Sequence, residues 1–524
     1  MNPKVVNLFA LIAAAGGAVC LIAIVFSGGT PLNHDCALFL QCAQLLLQGN
    51  VPYVDYVETN PPLVQYIHVV PVALAQWLGL NVAVTFQVFV LVLVLCSAAA
   101  LFLVPLRSVS NRFSSRLFLV AAWLAFSIVV FASGGFGQRE HLFILGYVPW
   151  LFCRLARHDN VSLPQRLSLP VGLIAGLFFL INPQYLLVVV AVELWLLYRT
   201  RRWSVLLAPE AAIVGGLALM YAAHLLLMIP ASMHEAFFGR LLPFLIKDYD
   251  AYDRSTPAIY IAAGTVGGLL AFVVSRRTPP KHRILIEALG LSTLIATALY
   301  YVQHKGWLYH LYPMVGCLAI LLTVSLLIFF ESPTPLLTGI LPKRFPLRTI
   351  LFAILLIGLL GGILVWSEVA LAKGPRRYAF MRDFIPLIQK NTGKDDRVAF
   401  ISTSVVPAYP TLIYADRLPG TRYLVSFPIP MLYKGVHPNA DGTFPYHILG
   451  TAPENEKRFL KELGSDIARY RPKLTFIQTS ECQACPDSFR VDTYLAKSGW
   501  REMYLGAYRL MEHSNGFAVY RRVY

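Results

Sequence analysis

Apolar runs of about 20 residues recur from position 5 to about 371, and each can cross a hydrocarbon core about 30 Å thick as a helix rising about 1.5 Å per residue. Backbone N–H and C=O groups in lipid must find partners inside their own segment, which makes these runs helices. With 57% hydrophobic and 14% charged residues, a chain of 524 residues lacks the polar side chains needed to cover a water-soluble particle. The first run, 5–26, follows Lys4, exceeds the usual apolar core of a secretory signal and has no A-x-A-like cleavage site behind it, so it is expected to stay as an uncleaved first helix.

Charge sorts the loops. Hydropathy offers a possible span at 62–79, but counting it as membrane-crossing would place Arg107, Arg112 and Arg116 opposite Lys4. With that segment on the outer surface, the expected spans are 5–27, 82–105, 117–133, 141–157, 168–182, 184–198, 204–228, 257–275, 284–301, 310–330 and 349–371, about eleven helices. The segments on the side of Lys4 then collect Arg107, Arg112 and Arg116, next Arg154, Arg157 and Arg166, and so on to Lys343, Arg344 and Arg348, whereas 28–81 contains neither Lys nor Arg. That asymmetry predicts a cytoplasmic N-terminus, and the expected location of the chain is a bacterial inner membrane. The net charge of +16 is therefore a topology signal and not a nucleic-acid footprint.

An odd number of spans sends 374–524 to the periplasmic side, leaving 1–373 as the transmembrane domain. Composition becomes charged and mixed after 374, and β-rich runs at 398–402, 474–478 and 517–521 alternate with a helical pattern at 454–470, which predicts a small α/β domain. No G-x-G-x-x-G element is present, which disfavours a nucleotide-sugar donor. Cys482 and Cys485 stand three apart with no second such pair, and facing an oxidising compartment they are expected to form a local disulfide, with a metal half-site as the alternative.

The first outward loop carries the main functional signal. Asp35 opens a stretch, 36–48, with Leu38, Cys42, Leu45 and Leu46 at helical spacing, expected to lie flat on the membrane with Asp35 as its cap. Next come Gly49-Asn50-Val51-Pro52-Tyr53-Val54-Asp55 and Asn60-Pro61-Pro62-Leu63. An acid before an interfacial helix, then G-x-x-P-Y-x-D, then x-P-P-L leading into a second surface helix resembles the C-fold membrane glycosyltransferases, in the branch of the protein O-mannosyltransferases and the lipid A aminoarabinose transferases. The resemblance implies that Asp35 is catalytic and that a second acid stands in the second outward loop, where Gly137-Gln138-Arg139-Glu140 fits. It implies a polyprenyl-phosphate-linked sugar as donor, a lipid, glycan or protein as acceptor, and no tightly bound metal, a divalent cation remaining open. Two positions depart from the pattern: Asn60 stands where some relatives have Lys, and the second acid is Glu140 where the family has Asp.

The chemistry asks for little: a base for the acceptor hydroxyl, which Asp35 supplies, and a cation for the departing phosphate. Arg139, His304 and Lys305 are the candidates for the second task, Arg being suited to bidentate phosphate contacts. The segment 303–310 adds Trp307 for sugar stacking and His310, while Tyr53, Glu58 and Asn60 are candidates for substrate binding. Plainer readings stand beside these. Asp35 is a helix cap, Glu140 forms an ion pair with Arg139, Glu58 orders its loop, Lys305 and His310 anchor a helix end, and Asn182-Pro183-Gln184 is a tight turn. Glu193 and Glu210, near span ends, are expected at the interface. The rival function is a lipid or polysaccharide transporter without chemistry, which would place ionisable or helix-breaking residues at mid-membrane depth.

Overall fold

In the computed structural model, residues 3–28, 30–105, 112–331, 378–482 and 484–523 are described. Each proposed span up to residue 330 falls on a helix, among them Pro3–Phe26, Val82–Leu103, Phe113–Ala132, Ala258–Arg277, Pro280–Val302 and Tyr312–Glu331. The proposed span 349–371 and the boundary near 374 lie outside the described residues. Among those described, seven helices are long and apolar enough to cross a membrane, or eight if Gln165–Ile181 and the helical residues from Pro183 to Thr200 count as one bent span. The break in that pair has a local cause. Pro183 has no N–H to donate and disfavours helical geometry at Asn182, which sits at φ −133°, ψ 89°, and the two arms bend by 120°. Helix Arg139–His158 has the length of a span, 20 residues, but carries Arg139, Glu140, Arg154 and Arg157, so apolarity alone does not mark it. Leu63–Leu78, with 16 residues, reaches only about 24 Å and falls short of a bilayer core. Its Val70, Leu74, Trp77 and Leu78 are exposed, as suits a helix lying in the lipid–water boundary.

The chain divides into two compact units, each discontinuous in sequence: 1–30, 87–224 and 254–375 form one, and 31–86, 225–253 and 376–524 the other. The second is built on a five-stranded sheet of β1 (Arg397–Ile401), β2 (Leu418–Pro419), β3 (Leu474–Gln478), β4 (Tyr508–Ser514) and β5 (Phe517–Arg522), in the order β2-β1-β3-β5-β4. β1 pairs in parallel with β2 and β3, whereas β5 runs antiparallel to both β3 and β4. All five residues of β3 are buried, as expected of a central strand, and Phe400 stacks on Phe476 across the β1–β3 pair at 4.3 Å. Asn515 and Gly516 join β4 to β5 with φ of 47° and 77°, the paired left-handed turn that Asn-Gly favours between antiparallel strands. Helix Glu454–Tyr470 lays Phe459, Leu460, Leu463 and Ile467 into the core, and fully buried Trp500 donates from Nε1 to the Leu460 carbonyl at 2.9 Å. Cys482 and Cys485 are joined in a disulfide.

This unit ties the segment after residue 30 to the C-terminal part of the chain. Val57 N donates to the Arg422 carbonyl at 2.7 Å, and Leu32 N donates to the Tyr414 hydroxyl at 3.2 Å.

Candidate active site

Helix His34–Leu47 begins at Asn33, whose side-chain oxygen accepts from Asp35 N at 2.9 Å. The cap is therefore Asn33 and not Asp35. Asp35 stands in the first helical turn, where a negative charge is favoured without capping the backbone. Its carboxylate is 14% exposed, with His34 Nε2 at 3.7 Å from Oδ1, and His34 Nδ1 lies 3.1 Å from the Tyr378 hydroxyl. The helix is also more enclosed than its spacing suggested. Residues Cys36 to Ala43 are buried without a break, because Leu63–Leu78 and the helix Ala408–Ala415 pack against it.

The turn that follows is fixed by its own polar groups. Tyr53 adopts φ 64°, and its hydroxyl donates to the Asn60 carbonyl at 2.6 Å. Glu58, buried, accepts from Asn60 N at 2.7 Å on one oxygen and from Asn60 Nδ2 at 2.6 Å on the other. Asp55 accepts from Val51 N at 2.9 Å, and Tyr56 donates to Gln65 Oε1 at 2.7 Å. Burial pushes the Tyr56 hydroxyl up from the ordinary phenol range. Burial likewise drives the His68 pKa down to about 4, leaving a neutral imidazole whose Nδ1 lies 2.7 Å from the Val64 carbonyl. Replacing Glu58 with Ala strips two donors of Asn60 of their acceptor and is expected to cost about 1–3 kcal/mol, with Glu58→Gln losing less because its carbonyl oxygen still accepts. Thermal unfolding of the purified protein checks this, and an unchanged midpoint for Glu58→Ala would contradict the anchoring role.

The remaining candidates belong to the other unit. Glu140 lies in the first turn of Arg139–His158 and is fully buried. His310 Nε2 stands 3.6 Å from its Oε1, and Asn182 Nδ2 donates to the same oxygen at 3.5 Å. Two segments that sequence singled out separately, 137–140 and 303–310, are thus brought together, and Asn182 joins them from a turn read chiefly as structural, with cavity lining as the alternative. Its position at the Asn-Pro break was the available signal. Trp307 sits edge-on to His310 at 5.4 Å. His304 is exposed at φ 48°, its carbonyl accepting from Arg254 N at 2.7 Å, while Arg139 and Lys305 are half-buried. Among the described residues no group of three or more His, Cys, Asp or Glu side chains is placed to hold a metal ion.

No family model matches the chain, and no similar curated protein sequence is found. The crystal structure of ArnT from Cupriavidus metallidurans bound to undecaprenyl phosphate is similar with a TM-score of 0.57 at 12% identity, covering 97% of each chain. The same protein in the apo state gives 0.54 at 12% identity, over 97% of this chain and 98% of that one. The arabinofuranosyltransferase AftD from Mycobacteria gives 0.50 at 13% identity over 98% of this chain, which spans only 40% of AftD. The chain is a multi-pass membrane protein with the fold of the C-fold membrane glycosyltransferases.

Proposed function

We propose that this protein is a glycosyltransferase that moves a sugar from a polyprenyl-phosphate carrier to a lipid, glycan or protein acceptor at the outer face of a bacterial inner membrane. In this reading the N-terminus is cytoplasmic, and 374–524 is a periplasmic domain. The supporting observation is the likeness, along nearly the whole chain, to a protein solved with undecaprenyl phosphate bound.

Asp35 acts as general base. It takes the proton of an acceptor hydroxyl, whose oxygen attacks the anomeric carbon as the bond from that carbon to the carrier phosphate oxygen breaks, giving inversion. The phosphate leaves with two negative charges to be held, and Arg139, His304 and Lys305 are the cations assigned to it, since Asn60 provides none. Glu140 with His310 forms the second acidic site. Trp307 and Tyr53 offer ring faces to sugars, while Glu58 and Asn60 shape the loop at which substrate binds.

The test uses the full-length protein in sealed proteoliposomes with radiolabelled polyprenyl-phosphate sugars and envelope extract as acceptor. Release of free carrier phosphate with label transferred to acceptor is the expected result. Carrier translocated intact across a sealed vesicle without release would replace the transferase with a transporter.

A further inference from the structure

Within the unit of 31–86, 225–253 and 376–524, a cavity of about 130 Å³ opens between the loop after Asn50, the helical stretch 231–248 and the start of helix Glu454–Tyr470. Its apolar walls combine the rings of Tyr53, Phe244, Tyr423, Phe427 and Phe459 with aliphatic side chains, Val54 and Leu432 among them. Its charges are three arginines, Arg240, Arg422 and Arg458, against one carboxylate, Glu462.

These groups divide into a fixed wall and an available rim. Arg422 is clamped by Asp466, with Nη2 at 2.9 Å from Oδ1 and Nε at 3.1 Å from both carboxylate oxygens, and Asp466 is itself buried. Tyr423 donates to Glu462 Oε2 at 2.6 Å, and Tyr53 packs on Phe237 at 4.6 Å. The rings are thus held in place before anything binds. Arg240 and Arg458 differ: the first has Glu235 no closer than 3.9 Å, the second donates to the neutral Asn455 at 2.9 Å, and both are exposed. Among the described residues neither has a carboxylate within hydrogen-bonding distance.

A ligand for this cavity must be about the size of one ring, offer an apolar face to aromatic side chains and bring negative charge to two guanidinium groups. Preformed rings and bidentate donors recognise a pyranose bearing a phosphate or carboxylate. A polyprenyl chain is too long for it, and a neutral apolar molecule gains nothing from the arginines. We propose that the cavity is an accessory binding site for a single anionic saccharide unit. The site shares the Tyr53 ring with the transferase reading but uses neither Asp35 nor turnover, so a binding measurement tests it apart from that reading.

Titration calorimetry on the full-length protein in phosphatidylcholine nanodiscs, with glucose 6-phosphate, glucuronic acid, glucose and inorganic phosphate as probes, tests it. The anionic sugars should bind at least tenfold more tightly than glucose or phosphate. Arg240→Gln with Arg458→Gln should weaken them by about tenfold for each arginine, the loss of one charge-assisted hydrogen bond. Val54→Trp, which fills the cavity and leaves every charge in place, should abolish binding. Nanodiscs containing glucuronosyl diacylglycerol identify the source: competition with the soluble sugars points to a lipid headgroup, and its absence to a free glycan. Anionic-sugar affinity unchanged in both variants, or inorganic phosphate binding as tightly as glucose 6-phosphate, overturns the proposal.

Discussion

Asp35→Asn is expected to lower turnover of a polyprenyl-phosphate sugar by about 10²–10⁴-fold, the usual contribution of a general base, equivalent to about 3–5 kcal/mol of barrier. The substitution is informative because the helix start survives it. The helix start depends on the Asn33 side chain accepting from the backbone N of residue 35, a bond that survives any side chain there. Asn keeps the shape of Asp and loses only the charge and the capacity to take a proton. Donor binding should therefore change little while kcat falls. Asp55→Asn, in the same loop, is the comparison. Asp55 accepts from Val51 N at 2.9 Å, a bond that an amide oxygen still makes, so turnover should stay within a few-fold of the parent. Single-turnover measurements on both variants decide the matter: an Asp35→Asn protein that works as well as Asp55→Asn removes Asp35 from the chemistry.

The helices were legible because hydropathy and the Lys/Arg distribution are local properties. Holding 62–79 apart from the spans followed from Arg107, Arg112 and Arg116, and the helix there proves too short to cross. In the C-terminal part β3 was read to the residue, since Leu474–Gln478 is a short apolar run bounded by polar residues. β2, two residues long, and β4, mostly exposed, give no such run and went unseen. The cap of the first surface helix was misassigned because Asn33 and Asp35 are both good capping residues two positions apart, and only the backbone geometry separates them. What stayed illegible was pairing over distance. Nothing in 137–140 announces His310, and nothing in Val57 announces Arg422. The reading that Glu58 orders its loop was available because its partner Asn60 is two residues away.

The largest such omission is also the clearest stability test. Arg154 reads in sequence as one more cytoplasmic charge, and Glu193 and Glu210 as interfacial ones. In the folded unit Arg154 is fully buried, reaching Glu193 through Nε at 2.6 Å and Nη2 at 3.0 Å, Glu210 through Nη1 at 3.1 Å, and the Val205 carbonyl at 2.7 Å. Arg157 adds a contact to Glu210 at 3.4 Å, so two guanidinium groups face two carboxylates. The helices come close enough because Gly172 has no side chain: a Cβ there would stand 2.9 Å from Glu210 Cα. Arg154→Met takes the cation from Glu193 and leaves the buried Glu210 with Arg157 alone, and should cost about 3–5 kcal/mol. Lys at 154 restores the charge without the planar fork and should recover only part of that loss. The pairing account makes a sharper demand on the combination. Adding Glu193→Gln to Arg154→Met removes the stranded charge, so the double variant should be more stable than Arg154→Met alone, by at least 1 kcal/mol on the scale of coupled neighbours. Thermal unfolding of these variants and of Glu193→Gln alone in detergent measures it, and strictly additive losses would mean that Arg154 contributes packing and not charge compensation.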